Sequence, residues 1–138
     1  SWEKIKKVNP MNDQTIHSAL LIAKSGKGRF GDPIGLVVRC SEGKTEMYIS
    51  WGSFLGSGPV PITYRVGQER AVTEEWNNSA DNKGTFFPGS PIPTLNRIIG
   101  ASTFVANVTP YNENPVTAVF DITGAKDALQ DIRDSCNW

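Results

Sequence analysis

Few residues in this chain belong to the types that commonly perform chemistry, and their number limits what they could do. The sequence has two cysteines, Cys40 and Cys136, and a single histidine, His17. These are too few soft ligands for zinc, which is usually held by several Cys and His side chains at short spacings. The cysteines are interpreted either as a disulfide or as two buried thiols, and we expect the disulfide. No metal ion and no other cofactor is predicted.

One segment matches a nucleotide-binding pattern. Gly26–Gly31 reads Gly-Lys-Gly-Arg-Phe-Gly, the G-x-G-x-x-G spacing of dinucleotide-binding proteins. In those proteins the glycines open a helix whose N-terminus binds pyrophosphate. Here Asp32 and Pro33 lead into another predicted strand, so we interpret the match as a chance one inside a loop.

The sequence shows no set of residues that would predict catalysis. Nucleophilic catalysis of the Ser-His type would need His17 beside an exposed serine, and Gly56–Gly58 lacks the G-x-S-x-G spacing of a nucleophile elbow. Carboxylates such as Glu46, Asp81 and Asp121 could take part in acid-base chemistry, but no spacing singles them out. We therefore predict no catalytic residues and a protein that is not an enzyme.

Charge and hydrophobicity exclude two classes of partner. The 14 basic and 14 acidic residues give a formal net charge of zero, which provides no overall electrostatic attraction to nucleic acid. No apolar run approaches the roughly 20 residues that a helical membrane span requires. Neither nucleic-acid binding nor a membrane span in this chain is predicted.

Length and the expected disulfide bear on organisation and location. A chain of 138 residues fits one globular domain over 1–138, in which residues 1–14 form an N-terminal arm, either loosely docked or containing a helical turn. The chain begins at Ser1-Trp2, and we expect that a signal peptide has been removed. Since disulfides persist in oxidising compartments, the predicted location is periplasmic or secreted.

A β-hairpin over residues 35–51 is the clearest structural prediction. Two alternating apolar runs are joined by Ser41–Lys44, and this turn would place Cys40 opposite Thr45 and Arg39 opposite Glu46. The outer face would then carry the Arg39–Glu46 pair beside Tyr48. The buried face would carry Leu36, Val38, Cys40, Met47, Ile49 and Trp51.

The remaining patterns predict a mainly β fold. Alternation predicts strands at 15–24, 62–66, 71–76, 85–87, 103–109 and 116–122, with loops at 25–33, 52–61 and 77–84. Helical spacing predicts a short helix over 91–99 and an amphipathic helix over 125–134, whose apolar stripe continues to Cys136. Because strands dominate without βαβ alternation, we expect an antiparallel β-sandwich or barrel with a C-terminal α-helix and a short additional helix.

Several segments in a fixed order carry a family resemblance. They are Leu36–Cys40, Thr45–Trp51, Thr63–Val66, Trp76 with Ser79, Asp81 and Thr85-Phe86, Val108–Asp121, and Gly124 through Ile132-Arg133 to Cys136–Trp138. Together they resemble the VasI-type, or TagO-like, accessory proteins of bacterial type VI secretion, over most of the chain from about Ile16 onward. The resemblance implies an exported, envelope-facing, non-catalytic accessory protein. It also implies a disulfide between the two matched cysteines.

These observations lead to one leading functional hypothesis. The protein would be a periplasmic accessory or binding module that contacts another envelope protein or a cell-wall component. The candidate partner-binding residues share outward positions within the matched segments: Arg39, Glu46, Tyr48, Arg65 and Asp81. Two alternatives are a phage- or defence-related inhibitor or exclusion protein, for example from a prophage, and a peptidoglycan-processing enzyme.

Overall fold

Nine strands and three short helices make up the computed structural model, which describes all of residues 1–138. The strands are β1 Glu3–Val8, β2 Thr15–Lys27, β3 Pro33–Ser41, β4 Lys44–Ser50, β5 Val60–Val66, β6 Val72–Asn78, β7 Gly84–Phe86, β8 Thr103–Val108 and β9 Val116–Asp121. The helices are α1 Ile92–Ile99, α2 Ala125–Ala128 and α3 Gln130–Cys136. A single 3₁₀ turn covers Arg29–Gly31.

Eight of the strands close into an antiparallel barrel, which confirms the predicted fold class. The strand order is β1-β2-β3-β4-β7-β6-β5-β8-β9, and an additional pairing between β2 and β9 completes the circle. Strand β2 is long enough for two partners on one edge, since its first half pairs with β1 while Ser25 pairs with Val119 of β9. Strand β1 is thus an extra strand beside the barrel.

Glycine makes the barrel closure possible. Gly26 has a φ of +94°, and a Cβ at this position would collide with the carbonyl oxygen of Thr117 in β9. Only glycine combines this left-handed backbone with so close an approach of two chains. The segment Gly26–Gly31, which matches a dinucleotide-binding pattern, therefore provides the close contact between β2 and β9 through Gly26. As predicted, this segment leads into another strand, β3, rather than into a helix.

The hairpin forms with the predicted register. Strands β3 and β4 pair Cys40 with Thr45 and Arg39 with Glu46. Their two-residue turn has positive φ at both Glu42 and Gly43, the geometry that suits the twist of a tight hairpin. All six residues predicted for its inner face are at most 3% exposed: Leu36, Val38, Cys40, Met47, Ile49 and Trp51.

Aromatic side chains fill a large part of the barrel interior. Tyr64 of β5 lies 5.7 Å from the ring of Trp76 and 6.0 Å from that of Phe104. Phe87, which follows β7, packs 5.2 Å from Trp76 in an edge-to-face arrangement that is favourable for aromatic pairs. Alternate residues of β5, Ile62, Tyr64 and Val66, are all buried, as the alternation that predicted this strand implies.

A disulfide attaches the C-terminal segment to the hairpin, and the predicted C-terminal helix is divided in two. The helix expected over 125–134 is two short helices, α2 and α3, which meet at Leu129. Buried Leu129 and Ile132 keep the apolar stripe against the core, and α3 packs on β2, β3 and β4. The disulfide between Cys40 and Cys136 is present.

Trp138 adds a second attachment next to the disulfide. Its indole Nε1 donates a hydrogen bond to Thr45 Oγ1 at 2.9 Å, and the guanidinium of Arg133 lies 5.4 Å from its ring centroid. Since Thr45 faces Cys40 across the hairpin, both attachments hold the end of the chain to one point of the sheet.

Several sequence-based assignments were wrong. The predicted loop 25–33 is not loop throughout, since β2 continues to Lys27 and β3 begins at Pro33. Likewise, β5 begins at Val60, inside the predicted loop 52–61. Residues 3–8 form β1 rather than a helical turn, because the first half of β2 offers them an open edge for backbone pairing. The segment 77–84 is not loop throughout, since Asn77 and Asn78 continue β6 and pair with β7.

Candidate functional site

An ion pair lies on the outer face of the hairpin, where the sequence predicted it. The Nε of Arg39 donates to Glu46 Oε1 at 2.9 Å. Both side chains are partly exposed, at 35% and 25%, so water weakens the pair and its contribution to stability is about 0.2 to 1 kcal/mol. Its main structural effect is to fix the direction of the Arg39 guanidinium.

Two aromatic rings form a floor beside this ion pair. Tyr48 of β4 is paired in register with Phe86 of β7, and their ring centroids are 4.7 Å apart. The guanidinium carbon of Arg39 lies 5.5 Å from the Tyr48 ring and 5.8 Å from the Phe86 ring. These distances allow a cation–π attraction to both rings.

An open depression surrounds the floor. It has a volume of about 570 Å³, and its rim includes Arg39, Ser50, Asp81 and Lys83. A second depression of about 400 Å³ shares Arg39 and Phe86 with the first and is also lined by Lys44, Glu46 and Asn77. We call the two depressions together the hairpin groove.

Asp81 lies on the rim of the groove but bonds mainly within its own loop. Its Oδ1 accepts hydrogen bonds from the hydroxyl of Ser79 at 2.6 Å and from the backbone N–H of Lys83 at 3.1 Å. These bonds, that of Ser79 first, lower the pKa of the Asp81 carboxyl below its ordinary value. Asp81 is therefore ionised at neutral pH and shapes the loop that ends the groove.

Arg65 is separated from the other predicted residues. It lies on β5, opposite Val105 of β8, and contributes to neither depression of the hairpin groove. Its guanidinium donates to the Glu69 carbonyl at 2.8 Å and to Gln68 Oε1 at 3.2 Å. The structure thus brings Arg39, Glu46, Tyr48 and Asp81 to one groove and places Arg65 outside it.

Sequence reasoning missed three residues of the groove. Phe86 was predicted to lie in a short strand, but the face of the strand that it occupies was not predicted. Alternation would have placed Phe86 and Phe87 on opposite faces of that strand. Lys44 and Lys83 carried no signal, because exposed lysines beside turns are common. Lys44 lies near Arg39 through the β3–β4 register itself, whereas the proximity of Lys83 depends on the pairing of β4 with β7.

The other chemical candidates do not form a site. His17 faces Lys6 and Cys40 in the sheet register and contributes to a small cavity of about 60 Å³ with Asp131 and Ile132. No group of three or more His, Cys, Asp and Glu side chains is arranged to hold a metal ion. None of the helices has the length and hydrophobicity that crossing a membrane would require.

Comparison with known proteins identifies the family. The profile of the family described as type VI secretion system VasI and EvfG matches residues 7–138, nearly the whole chain. The chain belongs to the VasI family. A search of curated proteins returned no match, and a search of solved structures returned none. In this VasI-family chain the matched residues include the whole hairpin, the groove and both cysteines, so the protein is associated with type VI secretion.

Proposed function

We propose that the protein is a non-catalytic accessory module that acts in the periplasm and docks another type VI secretion component through the hairpin groove. The observation that carries this proposal is the outward aromatic and charged surface of Arg39, Tyr48 and Phe86, which lies on a rigid sheet. Aromatic and arginine side chains dominate the binding energy of many protein interfaces. Family membership supports a partner within the secretion system.

The disulfide supports the periplasmic part of the proposal. Cys40 and Cys136 are bonded and no free cysteine is present. Reducing agents of the cytosol make such structural bonds rare there, whereas the bacterial periplasm is oxidising. The chain would therefore reach its folded state after export.

The bonding of the groove carboxylates supports a docking role rather than catalysis. Glu46 is ion-paired with Arg39, and Asp81 is hydrogen-bonded within its loop and has a lowered pKa. A general acid needs the opposite, a carboxyl whose pKa is raised toward neutrality. Both carboxylates are better suited to positioning neighbouring groups.

Site-specific photo-crosslinking in the native host tests the proposal. A benzophenone amino acid would replace Tyr48 in the groove, and the matched control would replace Val105, a partly exposed residue on the outer face of β8. After irradiation and cell fractionation, we expect position 48 to yield an adduct with a type VI secretion component in the periplasmic fraction. Position 105 should yield much less of the same adduct.

Two results would contradict the proposal. Equal amounts of the same adduct from positions 48 and 105 would mean that the groove has no particular role. Recovery of the full-length protein in the cytoplasm, with both cysteines open to alkylation, would exclude the periplasmic location.

A further inference from the structure

The guanidinium of Arg39 has donors that the protein does not use. Only its Nε is hydrogen-bonded, to Glu46, and neither Nη group has an acceptor within the protein. The side chain is nevertheless held in place, by the ion pair on one side and by the rings of Tyr48 and Phe86 on the other. Arg39 thus presents its two Nη groups, with their N–H donors free, at the edge of an aromatic floor.

The surroundings of Arg39 favour an anionic ligand of low charge. Lys44 and Lys83 line the groove, are exposed and make no ion pair. With Arg39, they give the groove three positive side chains against the two negative ones, Glu46 and Asp81, and hence a net charge of +1. Both carboxylates already accept hydrogen bonds from the protein.

The apolar floor determines what else the ligand must offer. Tyr48 and Phe86 are only partly buried, and the neighbouring Val37 lines the same depression. An aromatic or aliphatic side chain could bury this surface while a neighbouring group bonds to Arg39.

We propose that the hairpin groove binds an acidic peptide segment of a partner protein, in which an Asp or Glu carboxylate adjoins an aromatic or aliphatic side chain. The carboxylate accepts hydrogen bonds from the Nη groups of Arg39, and the apolar side chain packs on Tyr48 and Phe86. Planar guanidinium donors match carboxylate oxygens in this way. The inference rests on the proposed function, since it specifies the chemistry by which the docked component is recognised.

Synthetic peptides test this inference without knowledge of the partner. The probes are fluorescently labelled hexapeptides with blocked ends, which contain two aspartates beside a phenylalanine and a leucine. Matched probes replace both aspartates by asparagine, or both apolar residues by serine. Fluorescence anisotropy with the wild-type protein should show saturable binding of the acidic apolar peptide. Each replacement should weaken this binding about fivefold or more, because a charge-assisted hydrogen bond or an apolar contact is lost.

Two arginine variants localise the binding. Arg39→Lys keeps the positive charge but removes the planar fork and weakens contact with both rings, so it should raise the dissociation constant about tenfold. Arg65→Lys is the matched control, because Arg65 is also a strand arginine bonded through its Nε but lies outside the groove. It should bind the peptide like the wild type, and thermal unfolding should show that both variants are folded.

The outcomes separate this inference from the proposed function. Absence of saturable binding up to ~1 mM peptide, or equal binding by Arg39→Lys and the wild type, would overturn the inference. Equal affinity for the aspartate and asparagine peptides would do the same. If a secretion component were still crosslinked at position 48, the docking role would stand and the recognised chemistry would be a different one.

Discussion

The pKa of the Tyr64 phenol is raised in the folded protein. The side chain is 4% exposed, and its hydroxyl donates a hydrogen bond to Glu74 Oε1 at 2.9 Å. Burial, and then the bond to Glu74 and its charge, raise the pKa of Tyr64 to about 12, while Thr94 and Arg97 oppose the rise. The neutral phenol is thus favoured in the folded protein.

This pKa predicts a stability change at alkaline pH. The raised pKa stabilises the folded state fully below the unfolded pKa of about 10, and the effect is lost as pH rises through the folded value of about 12. We expect the difference in unfolding free energy between the wild type and Tyr64→Phe to be constant below pH ~10 and to shrink toward pH 12. Chemical denaturation at several pH values measures it, and a difference that stays constant to pH 12 would contradict the assignment.

Residue-level contacts near the hairpin could be predicted only in part. The Arg39–Glu46 pair follows from the register of a short local turn, so the sequence was sufficient to predict it. The contact of Tyr48 with Phe86 joins distant parts of the chain, and no local pattern in either segment indicates the other. The sequence therefore predicts the hairpin part of the site but not its contact with β7.

At the level of elements, the disulfide connects α3 to the hairpin across most of the chain. The sequence separation between Cys40 and Cys136 is 96 residues. Closing so long a loop restricts the unfolded chain strongly, and in the chain-entropy model this stabilises the folded state by up to ~4 to 5 kcal/mol. The nearby hydrogen bond from Trp138 to Thr45 contributes about 1 kcal/mol.

Two variants separate these contributions. Replacing both Cys40 and Cys136 by alanine should lower the free energy of unfolding by about 2 to 5 kcal/mol. Trp138→Phe keeps the disulfide and removes the bond to Thr45, so its loss should be near 1 kcal/mol. Urea denaturation of both variants under non-reducing conditions tests this, and a double-alanine variant as stable as the wild type would show that the bond is dispensable.

The helical elements show where pattern alone is insufficient. The apolar stripe from Ala125 to Cys136 predicted the buried face correctly, because amphipathic spacing depends on neighbours in the sequence. The interruption at Leu129, where α2 ends and α3 begins, has no counterpart in that spacing. Similarly, β1 exists because β2 offers an open edge, which its own sequence did not indicate.

At the level of the whole molecule, barrel closure was the main feature that the sequence left open. Sandwich and barrel both need alternating strands with hairpin turns, and the distinction rests on the pairing of Ser25 with Val119. That pairing requires the close backbone approach at Gly26, and a single glycine in a loop-like segment is compatible with many backbone conformations. Closure makes the sheet that carries the groove a continuous hydrogen-bonded platform.

In our proposal, this platform docks a secretion partner through Arg39. This can be measured directly by comparing the amount of crosslinked component that the Arg39→Glu and Arg70→Glu variants capture in the native host. Arg70 is an exposed arginine in the β5–β6 turn that makes no ion pair, and both variants would first be shown to fold by thermal unfolding. We predict that Arg39→Glu loses most of the capture and that Arg70→Glu retains it. Equal capture by the two folded variants would mean that Arg39 does not mediate docking.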